Sequence, residues 1–453
     1  MSLELLIDRF CPVFFRKHID RVQRSKIGSQ IASGAFWSLA GSVFSRLFMV
    51  IATILVARML GRSIFGQYSV VLSTVNSFIV FSNFGIGLTA TKYIVELRES
   101  DKERTGRILG LSYLFTVGLG ILMTMLLCAV APWICNHVMK APQLVSELRL
   151  GLLFLIVASV NGAQSGVMVG FQGFRVAAMA NCIAGLFMIP LRAGGAYLGG
   201  LNGSLIGFGL SLVVLLVVNR IFILKITRQY NIKISYRNAF QELPILWKFS
   251  IPAVLGGILV TPVFWLCYLM LTRSPNGFEE VAVLDAARQF QLMILFIPGT
   301  IAQVILPLLV QANSANQKSQ YTKTIKYNML LNIVVALVVA LPLMILSPYV
   351  MGFYGEGFSD GTMTLCILAV TAIIIAANNV VGQIIASQGK MWVGFIFNLM
   401  WAVVLLLGCY FAMLLNTGAF GVAVAMLIAY LLHTIWQSGY LLVFLKSYSF
   451  FVK

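Results

Sequence analysis

Long, uninterrupted apolar stretches dominate this sequence and decide what it can fold into. We count twelve of them, at residues 31–57, 65–90, 108–134, 146–170, 174–198, 203–226, 245–272, 280–310, 325–347, 361–387, 391–415 and 418–445. A helix needs about 20 mostly apolar residues to cross a bilayer. Inside lipid a segment must satisfy its own backbone hydrogen bonds, which a helix does. The sequence therefore predicts an all-α polytopic membrane protein with about 12 transmembrane helices.

Composition and loop length exclude several classes of function. Hydrophobic residues make up 60% of the chain and charged residues only 10%, whereas about a quarter of the residues in soluble domains are charged. The predicted loops are too short for a soluble catalytic domain, so we expect a protein that is not an enzyme and has no catalytic residues. The seven cysteines show no metal-binding spacing and the three histidines lie far apart, so no metal site is expected.

The distribution of basic residues predicts the orientation in the membrane. Lys and Arg collect in cytoplasmic loops, and here they concentrate before the first run, after the second, after the sixth and after the eighth. Both termini are therefore expected in the cytoplasm. This topology accounts for the net charge of +18, so nucleic acid is not expected as a partner. Residues 1–30 are interpreted as an amphipathic helix on the cytoplasmic face; a loosely ordered basic tail is the alternative.

Weak internal similarity predicts two halves of six helices. Residues 57–68 and 271–282 each form a short turn in which Arg is followed by Gly and Phe, and Gln172-Gly173 corresponds to Gln388-Gly389. The predicted divisions are the N-terminal segment 1–30, a first lobe at 31–228, a basic linker at 229–244, a second lobe at 245–446 and a tail at 447–453. Such parallel repeats are related by an axis along the membrane normal and enclose a central cavity. Chance similarity between apolar helices is the alternative.

Ionisable residues inside the apolar runs mark the candidate site. Arg46, Arg192 and Arg288 fall within runs, and Asp285 is the only carboxylate well inside one. A mid-bilayer Arg costs about 2.5–3.5 kcal/mol on insertion scales, so it normally faces a cavity or a partner. One Asp does not neutralise three arginines. The sequence thus predicts a positively charged cavity suited to an anionic substrate, and the guanidinium fork matches phosphate oxygens.

Two polar residues are added to this predicted site. Ser42 shares a helical stripe with Arg46, and Gln291 follows Arg288 by three residues. Asp285 is the candidate group for coupling transport to an ion. Structural alternatives remain open for each position: Arg288 pairing with Asp285, Arg46 bonding to helix carbonyls, Arg192 reaching the outer interface, and Gln291 joining helices to each other.

Short motifs in a particular order resemble those of a known family. They are Leu60-Gly61, Phe65-Gly66-Gln67-Tyr68, Phe84-Gly85-Ile86-Gly87, Leu306-Pro307, the stretch 353–358 (FYGEGF) and Gln388-Gly389. From about residue 30 to 445 the chain resembles the polysaccharide flippases of the Wzx type. These belong to the superfamily of multidrug, oligosaccharidyl-lipid and polysaccharide exporters.

The resemblance implies a fold, a substrate and a location. It implies two lobes around a cationic cavity in the bacterial cytoplasmic (inner) membrane, with no cofactor beyond a coupling proton or sodium ion. It implies alternating-access flipping of an O-antigen or other repeat unit linked to undecaprenyl diphosphate. Arg46 and Arg288 match family arginines by helix and would hold the diphosphate. Other polysaccharide assembly proteins are possible partners.

Two other functions compete with this interpretation. A small-molecule or multidrug efflux antiporter would keep the fold, but drug-exporting relatives commonly carry a carboxylate in the first span, where this chain has Arg46. A membrane polysaccharide polymerase or glycosyltransferase would need a sizeable outer loop and clustered acidic residues, which the sequence lacks.

The predicted topology is tested by labelling intact cells with a membrane-impermeant maleimide. We expect Ser2→Cys and Lys453→Cys to stay unlabelled until the cells are opened, because both termini are cytoplasmic. Gln143→Cys, in the predicted outer loop 135–146, is the matched control and should be labelled at once. Labelling of one terminus but not the other in intact cells would contradict the even number of spans.

Overall fold

The structure is a computed structural model that describes residues 26–246, 259–314 and 318–450. All regular secondary structure within these ranges is helical. Of the predicted surface helix at 1–30, only residues 26–30 fall among the described residues, and of the predicted tail only 447–450.

Fourteen α-helices follow one another along the described chain. They are α1 (Lys26–Asn83), α2 (Ile86–Leu97), α3 (Lys102–Trp133), α4 (Val145–Leu153), α5 (Leu155–Gly170), α6 (Phe174–Gln229), α7 (Val260–Leu271), α8 (Gly277–Ile294), α9 (Phe296–Ser314), α10 (Lys318–Ile345), α11 (Ser347–Gly352), α12 (Thr362–Ser387), α13 (Met391–Leu414) and α14 (Gly418–Phe450). A π-helical turn at Ile134–Met139 and a 3-10 turn at Ala239–Glu242 connect some of them.

Glycines divide the two longest helices into pairs of arms. Helix α1 breaks at Gly61, where φ is 74°, and α6 breaks at Gly199 and Gly200, where Gly200 has a φ of 54°. Glycine adopts positive φ without the steric penalty that a Cβ brings. In α6 the two arms then pack closely against each other. A Cβ added at Gly207 would lie 2.2 Å from the Leu191 carbonyl oxygen, so a residue larger than glycine does not fit at this contact.

The described helices account for about twelve membrane crossings. Eight stretches are long and apolar enough to span a membrane, and the bent pair Gly277–Ile294 and Phe296–Ala302 makes a ninth. Two of the eight contain the glycine breaks and therefore hold two crossings each. The shorter apolar helix α7 follows residues outside the described ranges and lies within the seventh predicted run. The predicted all-α polytopic fold is confirmed.

Several predicted spans are bent where the sequence pattern suggests a straight helix. The second run is interrupted at Phe84 and Gly85, which both have positive φ, and continues as α2. The eighth run bends by 42° between α8 and α9, where Pro298 cannot donate a backbone hydrogen bond. Hydropathy reports only the apolar character of a run, so it does not reveal such bends.

The second arm of α1 (residues 62–83) contacts helices from both predicted halves. Helix α1 packs against α6, and also against α7 and α8. The largest buried apolar cluster joins the two sets, with Phe65 and Val75 on one side and Tyr268 and Ala286 on the other. We use "first half" for 31–228 and "second half" for 245–446; the division itself stays a prediction.

The predicted linker packs closely against the start of α3. The Ser235 amide donates to the Gly106 carbonyl at 3.0 Å, and a Cβ at Gly106 would lie 2.1 Å from the Lys233 carbonyl oxygen. The Glu242 side chain, 7% exposed, accepts hydrogen bonds from Arg104 at 3.1 Å and Arg107 at 3.2 Å. A buried carboxylate needs such partners, so this ion-pair cluster ties the linker to the first half.

The contact between α1 and α8 should depend on Gly66. A Cβ there would lie 1.7 Å from the Phe278 carbonyl oxygen, so Gly66→Ala should force the two helices apart and cost about 1–3 kcal/mol or more, as overpacking does. Gly118→Ala in α3 is the matched control, because a Cβ there meets no atom within 4 Å. Thermal unfolding of the detergent-purified variants, followed by tryptophan fluorescence, measures the difference. Equal melting temperatures for the two variants would contradict the packing.

Candidate functional site

A cavity of about 220 Å³ lies where the two halves meet. Each of three helices supplies four lining residues at positions i, i+3, i+4 and i+7, which form one helical face. The lining residues are Ser69, Leu72, Ser73 and Asn76 of α1, Thr261, Phe264, Trp265 and Tyr268 of α7, and Asp285, Arg288, Gln289 and Leu292 of α8. The cavity wall therefore combines hydroxyls, amides, aromatic rings and one charge of each sign.

The Asp285 carboxylate is held by two hydroxyl groups from other helices. Tyr268 donates to Oδ1 at 2.8 Å and Ser69 donates to Oδ2 at 3.0 Å. Among the residues that the structure describes, no Lys, Arg or His nitrogen lies within 4 Å of this carboxylate. The direct Asp285–Arg288 ion pair, which the sequence left open as an alternative, is therefore not formed in this structure.

The Arg288 guanidinium is held by an aromatic ring instead of a carboxylate. Its Cζ lies 3.5 Å from the centroid of the Phe264 ring and 5.9 Å from that of Tyr268. Its Nε is buried without a hydrogen-bond acceptor among the described residues. A cation–π contact attracts the charge to the ring face without occupying the N–H groups in its plane. The cavity thus presents a cation with one N–H group, that of Nε, without an acceptor among the described residues.

Arg46 lines a second and mainly apolar pocket of about 120 Å³. Its other lining residues are Val43, Leu47, Met293, Phe296, Ile297 and Val339, from α1, α8, α9 and α10. Met293 directly follows Leu292 of the first cavity, so α8 contributes to both spaces. The structure therefore places Arg46 and Arg288 in two separate pockets, each lined in part by α8. That both arginines hold the diphosphate stays a prediction.

Arg192 lies outside both pockets. Its Cζ is 4.9 Å from the centroid of the Phe208 ring, and its buried Nε has no acceptor within the described part of the chain. Tyr68, which directly precedes Ser69 of the cavity wall, lies near both Arg192 and Asp285. Arg192 thus contributes positive charge near the cavity without lining it.

Two further predicted residues do not line the cavity. Gln291 is buried, and its Nε2 donates to the Leu368 carbonyl at 3.4 Å, which is the helix-joining role that the sequence left open. The side chain of Ser42 lies outside the described residues. A substrate contact by either one stays untested.

The structure adds residues that the sequence did not single out. Phe264 holds Arg288, Tyr268 and Ser69 hold Asp285, and the Trp265 indole donates to the Thr74 hydroxyl at 2.9 Å. The helical spacing of Ser69, Ser73 and Asn76 is a signal that could have revealed one wall. The aromatic residues carry no such signal, because aromatic side chains at helical spacing usually belong to a packed core.

The influence of the Arg288 charge on the cavity is tested by a cysteine at its polar wall. Ser73→Cys should react faster with an anionic than with a cationic methanethiosulfonate reagent, because Arg288 attracts the anion. Removing that charge with Arg288→Ala should lower the ratio of the two rates by about fivefold or more. Ser77→Cys, at a position only 1% exposed, is the matched control and should stay unreactive. A ratio that Arg288→Ala leaves unchanged would contradict the assignment.

Solved transporters share this fold. An inward-facing multidrug resistance MATE family transporter of the MOP superfamily matches with a TM-score of 0.74 at 16% identity, over 89% of this chain and 96% of that one. A MOP superfamily transporter from Pyrococcus furiosus, whose description notes a reversed polarity of the binding pocket, matches with a TM-score of 0.70 at 16% identity, over 95% and 98%.

Sequence comparisons identify the family. The EPS I polysaccharide export inner membrane protein EpsE of Ralstonia nicotianae is 23% identical over 413 residues, 90% of this chain and 92% of that protein. Its counterpart in Ralstonia solanacearum is 26% identical over 204 residues, 45% and 47% of the two chains. The sequence model of the polysaccharide biosynthesis protein family matches residues 31–313. The chain is therefore a multi-pass membrane protein that belongs to the polysaccharide biosynthesis protein family.

Proposed function

We propose that this protein is a flippase for a polysaccharide repeat unit linked to undecaprenyl diphosphate. It moves the unit from the cytoplasmic to the outer leaflet of the bacterial inner membrane by alternating access. The observation that carries the proposal is the Arg288 guanidinium, which faces a cavity between the halves, packs on the Phe264 ring and forms no ion pair with Asp285 of the same wall. A diphosphate supplies oxygen acceptors for its N–H groups.

The chemistry of the cavity supports this substrate. A guanidinium binds phosphate oxygens through paired N–H donors, and Ser73, Asn76 and Gln289 offer hydroxyl and amide groups to a sugar. Family membership and the similarity to EpsE proteins, which are described as polysaccharide export proteins, point to the same class of cargo.

The size of the cavity supports a cycle of conformations. Pockets that enclose drug-sized ligands measure roughly 300–1,000 Å³, and this one measures about 220 Å³. In the present conformation it has room for a diphosphate and not for an oligosaccharide. Passage of a glycan therefore requires the halves to move apart, as alternating access provides.

The Arg46 pocket supports a route for the lipid. It lies between the first arm of α1 (residues 26–60) and helices of the second half, and neighbouring side chains on that arm, such as Phe44 at 50%, are exposed. We propose that the polyprenyl chain stays in the bilayer beside this gap, while Arg46 contacts the diphosphate as it enters or leaves.

Asp285 is the proposed coupling group for a proton or a sodium ion. It is a carboxylate in the cavity wall, bound by hydroxyls from both halves, so a change in its charge or occupancy would alter a contact between the halves. The proposal includes cytoplasmic termini, no covalent catalysis, and cooperation with other polysaccharide assembly proteins.

Efflux of small molecules is the second candidate, because solved multidrug transporters share the fold. Those transporters are only 16% identical to this chain, so the likeness concerns the fold and not the cargo. Arg288, which forms no ion pair with Asp285, argues against cationic drugs, since it would repel a cation placed beside it.

The experiment is reconstitution into vesicles with a fluorescent undecaprenyl-diphosphate-linked sugar. Wild-type protein should move it across the bilayer, and Arg288→Ala should slow the movement about tenfold or more, the effect of losing a charge-assisted hydrogen bond. Arg149→Ala, which removes an exposed guanidinium that donates to the Cys128 carbonyl, is the matched control. Full activity of folded Arg288→Ala protein would overturn the proposal, as would transport of cationic dyes in place of the lipid-linked sugar.

A further inference from the structure

Three arginines join the two halves at one end of the bundle. From the first half, Arg58 donates to the Phe353 carbonyl at 2.7 Å and Arg62 donates to the Gly357 carbonyl at 2.8 Å. From the second half, Arg273 donates to the carbonyls of His137 at 3.3 Å and Val138 at 3.1 Å. In both cases an arginine in a turn between two spans holds the backbone of a turn that belongs to the other half.

Equivalent turns of the two halves make these contacts in both directions. Arg58 and Arg62 lie in the turn 57–68, and Arg273 lies in the turn 271–282, which are the two turns that the sequence pairs as repeats. The acceptor turns follow the third span at 134–141 and the ninth span at 346–361, six spans apart. A rotation that relates the two halves would produce this exchange of contacts.

Arg62 is the centre of the ionic contacts at this end. Its guanidinium lies 3.2 Å from Glu280 and 3.1 Å from Asp360, with Glu279 at 3.9 Å. Glu280 also accepts a hydrogen bond from the Ala419 amide at 2.7 Å, at the start of α14. One first-half side chain, only 17% exposed, therefore connects α8, the turn at 357–360 and α14.

A packed layer lies between Arg62 and the cavity. Phe65 is fully buried, and its ring centroid is 6.3 Å from that of Tyr354 and 6.1 Å from that of Phe358. Gly66 follows against the Phe278 carbonyl, and Ser69 then donates to Asp285. These contacts fill the space from the surface to the wall of the cavity, so the cavity is closed from this end.

The opposite end of the bundle differs. Hydrogen bonds and ion pairs join the halves through residues 58–74 and 137–139 on one side and 265–285 and 353–360 on the other. At the far end, two contacts among the described side chains are each confined to one half or its linker. Glu242 binds Arg104 and Arg107 in the first half, and Tyr321 bonds to Ser387 in the second.

We propose that Arg58, Arg62 and Arg273, with Glu280 and the two acceptor turns, form the gate that closes the cavity on the outer side; we call this set the arginine clasp. Its release is the step that opens the cavity outward. The ion pairs with Glu279 and Asp360 are partly solvent-exposed, so each contributes little free energy by itself. Several such contacts together hold the gate closed, and because each is weak, the gate can also open. The role of the clasp rests on the proposed transport cycle, and its existence rests on the hydrogen bonds and ion pairs described above.

The test measures distances at both ends of the purified protein by double electron–electron resonance. Spin labels at Ser63 and Ser359 report on the clasp, and labels at Ser100 and Met391 report on the opposite end, with accessible native cysteines replaced by serine. Wild-type protein should show one short Ser63–Ser359 distance. Glu280→Gln should raise the population with a longer distance about tenfold or more, since hydrogen bonds to a charged group are weakened, and the Ser100–Met391 distance should shorten in the same population.

Three further variants complete the design. Arg273→Ala should open the same end from the reciprocal side, and Arg62→Ala, which removes the contacts to Glu280, Asp360 and the Gly357 carbonyl, should open it from the first half. Arg104→Ala, which removes a charge at the opposite end, is the matched control and should leave the Ser63–Ser359 distance unchanged. Unaltered distances in folded Glu280→Gln and Arg273→Ala proteins would overturn the clasp.

The outcomes separate this inference from the proposed function, because the distances are measured without substrate. Protein that opens as expected but moves no lipid-linked sugar contradicts the function and leaves the clasp standing. Protein that moves the sugar while Glu280→Gln and Arg273→Ala keep the wild-type distances contradicts the clasp alone.

Discussion

The second arm of α1 and helix α8 approach so closely at Gly66 that the Phe278 carbonyl occupies the space of a side chain. The other contacts between the halves are arranged around this approach. Toward the surface it brings Arg62 within reach of Glu280, and toward the interior it brings Ser69 within reach of Asp285. One more turn along α8 places Arg288 in the cavity. The backbone contact thus sets the register that positions both the clasp and the candidate site.

The electrostatics of the cavity depend on the groups that contact its two charged side chains, Asp285 and Arg288. Asp285 receives two hydroxyl donors, and Arg288 receives an aromatic face. An arginine inside a membrane normally faces a partner or a hydrated space. Because Phe264 supplies attraction without an opposing charge, the cavity keeps a positive site for an anion.

Hydropathy alone was enough to predict the helical fold, since each apolar run of about 20 residues has few alternatives in lipid. Arg288 was also predictable, because a charge inside such a run is costly and therefore conspicuous. The contacts of Arg288 and Asp285 were left open by the sequence. The spacing of three residues between Asp285 and Arg288 suggests an ion pair, but Tyr268 and Ser69 approach from other helices and take the carboxylate.

The remaining details depend on contacts between distant segments. The sequence contains 32 phenylalanines, and nothing in it distinguishes Phe264 as the one that holds Arg288. Arg46 falls in a separate pocket that involves α9, whose direction is set by the bend after α8. Arg58 and Arg62 appear in the sequence only as basic residues of a short turn, whereas their acceptors lie almost 300 residues away.

The most direct test of the central claim is a cryo-EM structure of the purified protein with undecaprenyl diphosphate bound. The account predicts a phosphate oxygen within about 3 Å of an Arg288 guanidinium nitrogen, in the cavity between α1, α7 and α8, with the guanidinium still on the Phe264 ring. A diphosphate bound elsewhere, with the cavity at Arg288 holding only water, would contradict it.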